Sequence, residues 1–160
     1  MKSFVLLFST IMFSISLLGQ EKYEKIFSFN EYQKDWAKVY KDGNYGFIDV
    51  NGKEIVSPIY EEIFPFGMYK TDWAKVYKDG NYGFIDVNGK EVVSSIYEEI
   101  FPFGMYKTDW AEVYKDGNFG FIDASGNEVV KPIYDKIIMK EKLTGYNGDH
   151  EEEIIEKIIK

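Results

Sequence analysis

Paired carboxylates are the residues of this sequence whose type and spacing come nearest to catalytic chemistry. Glu61 and Glu62 are adjacent, and Glu98 and Glu99 repeat the pair. A glycosidase also uses two carboxylates, but it places them across one cleft. Adjacent residues of a strand point to opposite faces, and a single active site has no need of serial copies. We therefore interpret the pairs as a solvated strand edge that discourages pairing with other chains.

Short runs of Asp, Asn and Gly suggest a second chemistry, the binding of calcium. Residues 42–44 and 49–52 resemble the start of calcium loops, but the fifth position of each series is Gly46 or Lys53, and neither supplies a side-chain oxygen. Asp or Asn before Gly is typical of tight turns. The sequence therefore predicts structural turns, and it predicts no metal and no cofactor. The predicted turn residues are Asp42, Gly43, Asn51, Gly52, Asp79, Gly80, Asn88, Gly89, Asp116 and Gly117.

The composition excludes several classes of enzyme. The chain contains no Cys and a single His, His150, and it has no nucleophile elbow, P-loop or GxGxxG motif. We expect no catalytic residue and no enzymatic activity, and we assign His150 a local structural role. All 19 basic residues are Lys and the formal charge is −8. An acidic chain without Arg is a poor candidate for binding nucleic acid.

Large aromatic side chains recur at fixed spacing and offer a binding chemistry instead. Core packing explains most of them, because each repeat holds more rings than one ribbon of strands can cover. The alternative is a ladder of exposed rings that stacks on glycan or grips a partner protein. The candidate binding residues are Trp36, Tyr40, Trp73, Tyr77, Trp110 and Tyr114.

The aromatic spacing reflects an internal repeat of 37 residues. Residues 36–72 and 73–109 are identical at 35 of 37 positions, and a third copy begins at Trp110 with more substitutions. The same register extends backwards to Tyr23 and forwards to Tyr134. The predicted domain is a repeat array over 20–138, with units at about 23–59, 60–96 and 97–133 and a partial fourth unit from 134.

The repeated motifs resemble the WG-repeat family of bacterial proteins. In the first copy the matching segments are Trp36–Val39, Asn44–Asp49, Asn51–Glu54 and Pro58–Glu61. Tyr45, Tyr82 and Phe119 stand where many members of the family have Trp before the Gly, which is a conservative departure. The resemblance covers about 23–138. It implies an all-β repeat module, often secreted or associated with the envelope, and it implies no enzymatic activity and no established ligand.

The N-terminal residues 1–19 have the features of a secretory signal peptide. Lys2 supplies a positive charge, the segment from Phe4 to Leu18 is apolar, and Gly19 is a small residue at a plausible cleavage point. An uncleaved anchor is the alternative, although fifteen helical residues span only about 22 Å of a hydrocarbon core of roughly 30 Å. We expect cleavage near Gly19 and no membrane span afterwards.

Each unit has the pattern of a three-stranded β-meander. The strand from Trp36 to Lys41 is followed by the hairpin dipeptide Asp42-Gly43, and Asn51-Gly52 is a second candidate type I′ turn. Gly46 lies mid-strand, where a neighbouring residue must approach closely, and we expect an aromatic ring of the adjacent unit there. A two-residue second loop would oppose Asp49 and Glu54, so we expect a bulge or a longer loop to separate these like charges.

The expected fold class is all-β, with the meanders stacked as an open array, and a closed trefoil-like body is the alternative. The C-terminal residues 139–160 are expected to form a linker and a short amphipathic helix over 151–160, with Ile154, Ile155, Ile158 and Ile159 on one stripe.

These features together predict a secreted or periplasmic repeat module at the cell envelope. The expected function is that of a non-enzymatic protein-binding scaffold, and the alternative is the binding of glycan or cell wall through the aromatic ladder. The partner is therefore expected to be a protein or an envelope glycan.

Overall fold

The computed structural model describes residues 22–139 and 142–154. Within these ranges the chain forms fifteen β-strands and no helix, so no helix there is long and apolar enough to cross a membrane. The predicted signal peptide at 1–19 lies outside the described residues.

The strands form four antiparallel sheets, each built from consecutive segments of the chain. Sheet I comprises β1 (Lys25–Phe29), β2 (Trp36–Lys41), β3 (Asn44–Asp49) and β4 (Glu54–Tyr60). Sheet II comprises β5 (Glu62–Ile63), β6 (Trp73–Lys78), β7 (Asn81–Asp86) and β8 (Glu91–Tyr97). Sheet III comprises β9 (Glu99–Ile100), β10 (Trp110–Lys115), β11 (Asn118–Asp123) and β12 (Glu128–Tyr134). Sheet IV comprises β13 (Lys136–Met139), β14 (Leu143–Asn147) and β15 (His150–Glu153).

The connector adds a strand to each predicted meander. In sheet II, Glu62 and Ile63 pair with Tyr77 and Val76, and β9 pairs with β10 in the same way. The first three sheets are therefore four-stranded, and the aromatic connector supplies the edge strand that the sequence pattern did not reveal.

The central hairpin of each sheet has a tight two-residue turn. Tyr40 pairs with Tyr45, and Lys41 pairs with Asn44. Asp42 and Gly43 have φ of 50° and 83°, and positive φ at both central positions defines a type I′ turn. The equivalent residues of sheets II and III have the same sign of φ.

The turn between β3 and β4 differs from the expected type I′ turn. Of its central dipeptide only Gly52 has positive φ, and Asp49 donates its N–H to the carbonyl of Lys53 at 2.9 Å. The longer loop shifts the register, so that Ile48 pairs with Glu54. Asp49 is therefore not opposite Glu54, which removes the repulsion between these two acids.

A bulge explains the mid-strand glycines. Tyr45 pairs with Tyr60, and Phe47 pairs with Val56. The strand β4 therefore has two more residues than β3 between these two pairs, and they form a bulge beside Gly46. A Cβ at Gly46 would lie 2.4 Å from the carbonyl oxygen of Val56, which no side chain tolerates. The expectation of an aromatic ring at this position is wrong, because the neighbour that requires Gly is the bulged backbone of the same sheet.

Consecutive sheets pack face to face. The aromatic face of sheet I lies against the aliphatic face of sheet II. The residues of the aromatic face are Trp36, Lys38, Tyr40, Tyr45 and Phe47. On the aliphatic face, Ala74, Val76 and Ile85 are fully buried. Sheets II and III repeat this interface, and sheet III packs on sheet IV through Ile137, Leu143 and Ile154.

These interfaces join sheets that are consecutive in the sequence, and no sheet of the described residues closes into a barrel. The stacking is that of the open array rather than of the trefoil-like alternative.

The predicted C-terminal helix is wrong where the structure describes it. His150–Glu153 forms β15, which pairs with β14 from Thr144↔Glu153 to Asn147↔His150. Within the predicted linker, Leu143–Asn147 forms β14. Pairing with β14 buries Ile154 to 2% exposure, and this tertiary contact overrides the local helical periodicity. The remainder of the predicted helix, 155–160, lies outside the described residues.

Candidate binding surface

The tryptophans among the candidate binding residues belong to the interfaces between sheets. Trp73 and Trp110 are each 6% exposed, and Trp36 is half-buried. Trp73 contacts Phe84 at 5.4 Å and Phe103 of the next connector at 6.0 Å between ring centroids. Such offset and edge-on contacts stabilise a core.

The tyrosines among the candidates form a regular row of ring pairs along the array. Tyr40 lies 5.0 Å from Tyr45, Tyr77 lies 4.8 Å from Tyr82, and Tyr114 lies 4.8 Å from Phe119, measured between centroids. All six rings are half-buried. We call these three pairs the ring ladder, since one pair lies beside the central hairpin turn of each of sheets I, II and III.

A buried lysine lies behind each of the first two ring pairs. Lys38 and Lys75 are 8% and 3% exposed. The Nζ of Lys75 lies 3.9 Å from the Tyr82 centroid, donates to the carbonyl of Ile100 at 3.0 Å, and forms an ion pair with Glu99 at 2.5 Å. Lys38 repeats the arrangement on the Tyr45 ring at 4.1 Å and the Ile63 carbonyl at 3.2 Å.

Lys38 is held less tightly than Lys75. Its Nζ has no carboxylate partner among the described contacts, and burial lowers its pKa although the charges of Glu62 and Glu31 oppose this. Each lysine nevertheless joins two sheets, because its ammonium binds a carbonyl of the following sheet.

The third copy reverses the charge at this position. Glu112 replaces the lysine, and it is 7% exposed. Burial raises the pKa of its carboxyl, because a charged carboxylate loses hydration there. No residue in the described parts of the chain gives this carboxylate a hydrogen bond or an ion pair.

The paired acids have separate structural roles in the described array. Glu61 and Glu98 accept the N–H groups of Asp79 and Asp116, the first residues of the hairpin turns, at 2.8 Å. Glu99 pairs with Lys75 across the interface of two sheets. The two acids of a pair thus act in different places, as their positions in a strand require.

The acids before the second turn hold the backbone of that turn. Asp86 accepts the N–H groups of Asn88 and Lys90, both at 2.9 Å, and Asp49 and Asp123 accept the equivalent bonds. Burial raises the pKa of the Asp86 carboxyl, but the hydrogen bonds from Lys90 and Asn88 outweigh it and bring the pKa below its ordinary value. Among the described residues no group of three or more acids or histidines could hold a metal ion.

His150 is exposed at the start of β15, where it pairs with Asn147. The burial of Lys38 and Lys75 was not predicted, although the sequence carries a signal for it. Each lysine has the spacing that places it on the same strand face as the aromatic residues. Glu112 occupies the equivalent position in the third copy, so the three residues form one spatial series in which the charge changes sign.

Comparison with known families agrees with this architecture. The family described as WG containing repeat matches residues 45–82, 82–119 and 119–139. The chain belongs to the WG-repeat family. Searches among curated proteins and among solved structures each found no match. The family matches run from one ring-ladder residue to the next, Tyr45, Tyr82 and Phe119.

Proposed function

We propose that this WG-repeat chain is a non-enzymatic module, secreted or associated with the cell envelope, that binds a partner protein through the ring ladder. The observation behind the proposal is the threefold recurrence of one half-buried ring pair, with centroid separations of 4.8 to 5.0 Å. Partly exposed tyrosines combine a large apolar area with a polar end, and such residues are enriched where proteins bind one another.

The geometry of the pairs favours a protein over a glycan as the partner. The rings of each pair are tilted by 45° to 47°. Two tilted rings form a notch rather than one flat platform, and a notch suits a side chain better than the face of a sugar ring.

The experiment compares two rows of substitutions that the repeat supplies. The first variant changes Tyr40, Tyr77 and Tyr114 to Ser. The control changes Ile59, Ile96 and Ile133 to Ser, which are 44%, 43% and 48% exposed and also recur once per sheet. Circular dichroism first establishes that both variants retain the β-sheet spectrum of the parent.

Binding is then measured with proteins of an envelope extract and with purified cell-wall material. We expect the parent and the isoleucine variant to bind a specific protein that the tyrosine variant no longer binds. None of these three proteins should be retained on cell-wall material. Loss in the isoleucine variant alone would contradict the ring ladder, and retention on cell wall that depends on the tyrosines would establish the glycan alternative.

A further inference from the structure

The first two copies show what the space behind a ring pair binds. Around Lys75 the ammonium is enclosed by the rings of Tyr82 and Tyr69, at 3.9 and 4.9 Å from the centroids, and by the carbonyl of Ile100. Around Lys38 the equivalent rings are Tyr45 and Tyr32, at 4.1 and 4.9 Å. We call this arrangement of two rings and one carbonyl the ammonium cage.

The walls of the cage are preserved in the third copy. Tyr106 lies 5.6 Å from Phe121, as Tyr69 lies 5.8 Å from Phe84. Phe119 stands 4.8 Å from Tyr114 at a tilt of 45°, the same geometry as the Tyr77–Tyr82 pair. These contacts place both rings of the third cage as they stand in the second.

The carbonyl of the cage is also in place. Ile137 pairs with Gly145, as Ile100 pairs with Val113 in the preceding sheet. The third cage therefore keeps two rings and an acceptor, although Phe119 replaces a tyrosine. It differs further at the lysine, which is Glu112, and at Glu99, whose place Lys136 takes.

Glu112 changes what this third cage can hold. The residue is 7% exposed. Burial raises the pKa of Tyr106, and the negative charge of Glu112 raises it further. Glu is shorter than Lys, so its carboxylate extends less far from the strand than the ammonium of Lys75 does. Aromatic faces, a carbonyl and a carboxylate all attract a positive charge.

We propose that the third cage binds a primary ammonium group on an alkyl chain, supplied from outside this chain. The occupant takes the place of the Lys75 ammonium: its N–H groups donate to the Ile137 carbonyl and to Glu112, and its charge lies on the rings of Tyr106 and Phe119. The proposal does not depend on the ring ladder binding a protein, because the cage lies behind that surface and its ligand is tested separately.

Lys136 is the lysine of the described residues that could compete for this site. It occupies the sequence position of Glu99 in the preceding unit, and it is exposed. Within the described parts of the chain it forms no ion pair with Glu112, and burial accounts for the raised pKa of the Glu112 carboxyl. Lys136 therefore does not neutralise Glu112, and substitution tests whether it competes with an external ammonium.

The test titrates the full chain with n-butylammonium chloride and follows the ring resonances of Tyr106 and Phe119 by NMR. We expect saturable shifts in the parent. Glu112→Gln should weaken binding about tenfold or more, because it removes a charge-assisted hydrogen bond. Lys136→Gln should leave the affinity within about twofold. Tetramethylammonium should bind at least several-fold more weakly, because it has no N–H to donate.

The matched control restores the arrangement of the second copy. In the double variant Glu112→Lys with Lys136→Glu, the cage contains its own ammonium and acid pair, so it should fold and should not respond to n-butylammonium. A parent that gives no shifts, or shifts that Glu112→Gln leaves unchanged, would overturn the proposal. Binding that appears only after Lys136→Gln would also overturn it, since Lys136 would then be the occupant.

A second titration identifies the source of the ammonium. N-acetyl-lysine N-methylamide carries the same head group on a peptide backbone. Tighter binding than that of n-butylammonium would assign the site to a lysine side chain of a partner protein, and equal binding would assign it to small alkylamines. Both outcomes support an ammonium site.

Discussion

Gly80 and Gly83 belong to the same repeat unit, but glycine is required at the two positions for different physical reasons. Gly83 faces the bulge of β8, and a Cβ there would lie 2.5 Å from the carbonyl oxygen of Val93 and 2.8 Å from the backbone nitrogen of Ser95. Gly80 has φ of +81° and no atom within 4 Å of an added Cβ. The first position is limited by contact and the second by backbone conformation.

We expect Gly83→Ala to lower the free energy of unfolding by about 3 kcal/mol, at the upper end of the cost of overpacking. Gly80→Ala should cost about 1 kcal/mol, because only the left-handed conformation is penalised. Urea denaturation of both variants measures the difference. Equal losses would contradict the assignment of the bulged backbone as the cause.

The sequence predicted features that depend on local conformation, and it did not predict features that depend on other strands or sheets. The Asp79-Gly80 turn was predictable because its conformation is local. The close backbone neighbour of Gly83 was not predictable, because it comes from two extra residues in the next strand. No residue type in that strand indicates a bulge. Tyr77 and Trp73 were equivalent as candidates in the sequence, and only the stacking of whole sheets places the indole in the interface and the phenol at its margin.

Ser95 is a residue whose chemistry does not suit its position. Its Oγ is buried with no hydrogen-bond partner, whereas the equivalent residues of the first and third copies are Pro58 and Pro132. We expect Ser95→Pro to raise the free energy of unfolding by about 1 kcal/mol, because it removes an unsatisfied hydroxyl and restricts the unfolded chain. The reverse change, Pro58→Ser, should lower it by a similar amount. Destabilisation by Ser95→Pro would show that its backbone differs from that of the other two copies.

At the scale of the elements, the turn that follows β3, β7 or β11 makes the free energy of unfolding depend on pH. Asp49, Asp86 and Asp123 have pKa values below their ordinary value, because their hydrogen bonds with turn residues outweigh the opposing effect of burial. A lowered pKa in the folded state contributes stability above the unfolded pKa of about 3.9, and this contribution is lost as pH falls through the folded pKa.

The variant with all three aspartates changed to Asn should therefore be less stable than the parent at pH 7, and the difference should shrink as pH falls through the acid range below 4. Glu112→Gln should behave in the opposite sense at pH 7. Burial raises the pKa of Glu112, so its contribution is complete below the unfolded pKa of about 4.3 and is lost as pH rises through the folded pKa. Unfolding midpoints in urea at pH 7 and pH 3 test both, and parallel pH profiles for all three proteins would contradict the assignment.

At the scale of the whole molecule, sheet IV differs from the three sheets before it. Its strand β14 has Thr144 at the place of Lys75, and β15 has Glu153 at the place of Phe84. Glu153 forms an ion pair with Lys142 at 2.9 Å instead of entering an aromatic interface. Sheet IV thus keeps the aliphatic residues that pack on sheet III, Leu143 and Ile154, and differs from the other sheets on its opposite face.

Removing the middle unit, residues 60–96, tests whether the array is a sum of neighbouring interfaces. The deletion brings the aromatic face of sheet I onto sheet III, whose Ala111, Val113 and Ile122 are the same residues as Ala74, Val76 and Ile85. Each sheet touches its neighbours, so three interfaces become two. We expect a folded protein that has lost about one third of its interface stabilisation and whose longest dimension in small-angle scattering is about 10 Å shorter, the spacing of two packed sheets.

The control deletes residues 60–78, which removes β5 and β6 and leaves β7 paired with β8 alone. This shorter deletion should prevent cooperative folding, although it removes fewer residues, because the surviving half-sheet cannot present an aliphatic face to sheet I. A 60–96 deletion that fails to fold while the 60–78 deletion folds would show that stability depends on chain length or on contacts beyond neighbouring sheets. Stacking of equivalent sheets requires the 60–96 variant to fold and the 60–78 variant to fail. The first deletion removes a whole repeat and preserves every type of interface, whereas the second disrupts two interfaces.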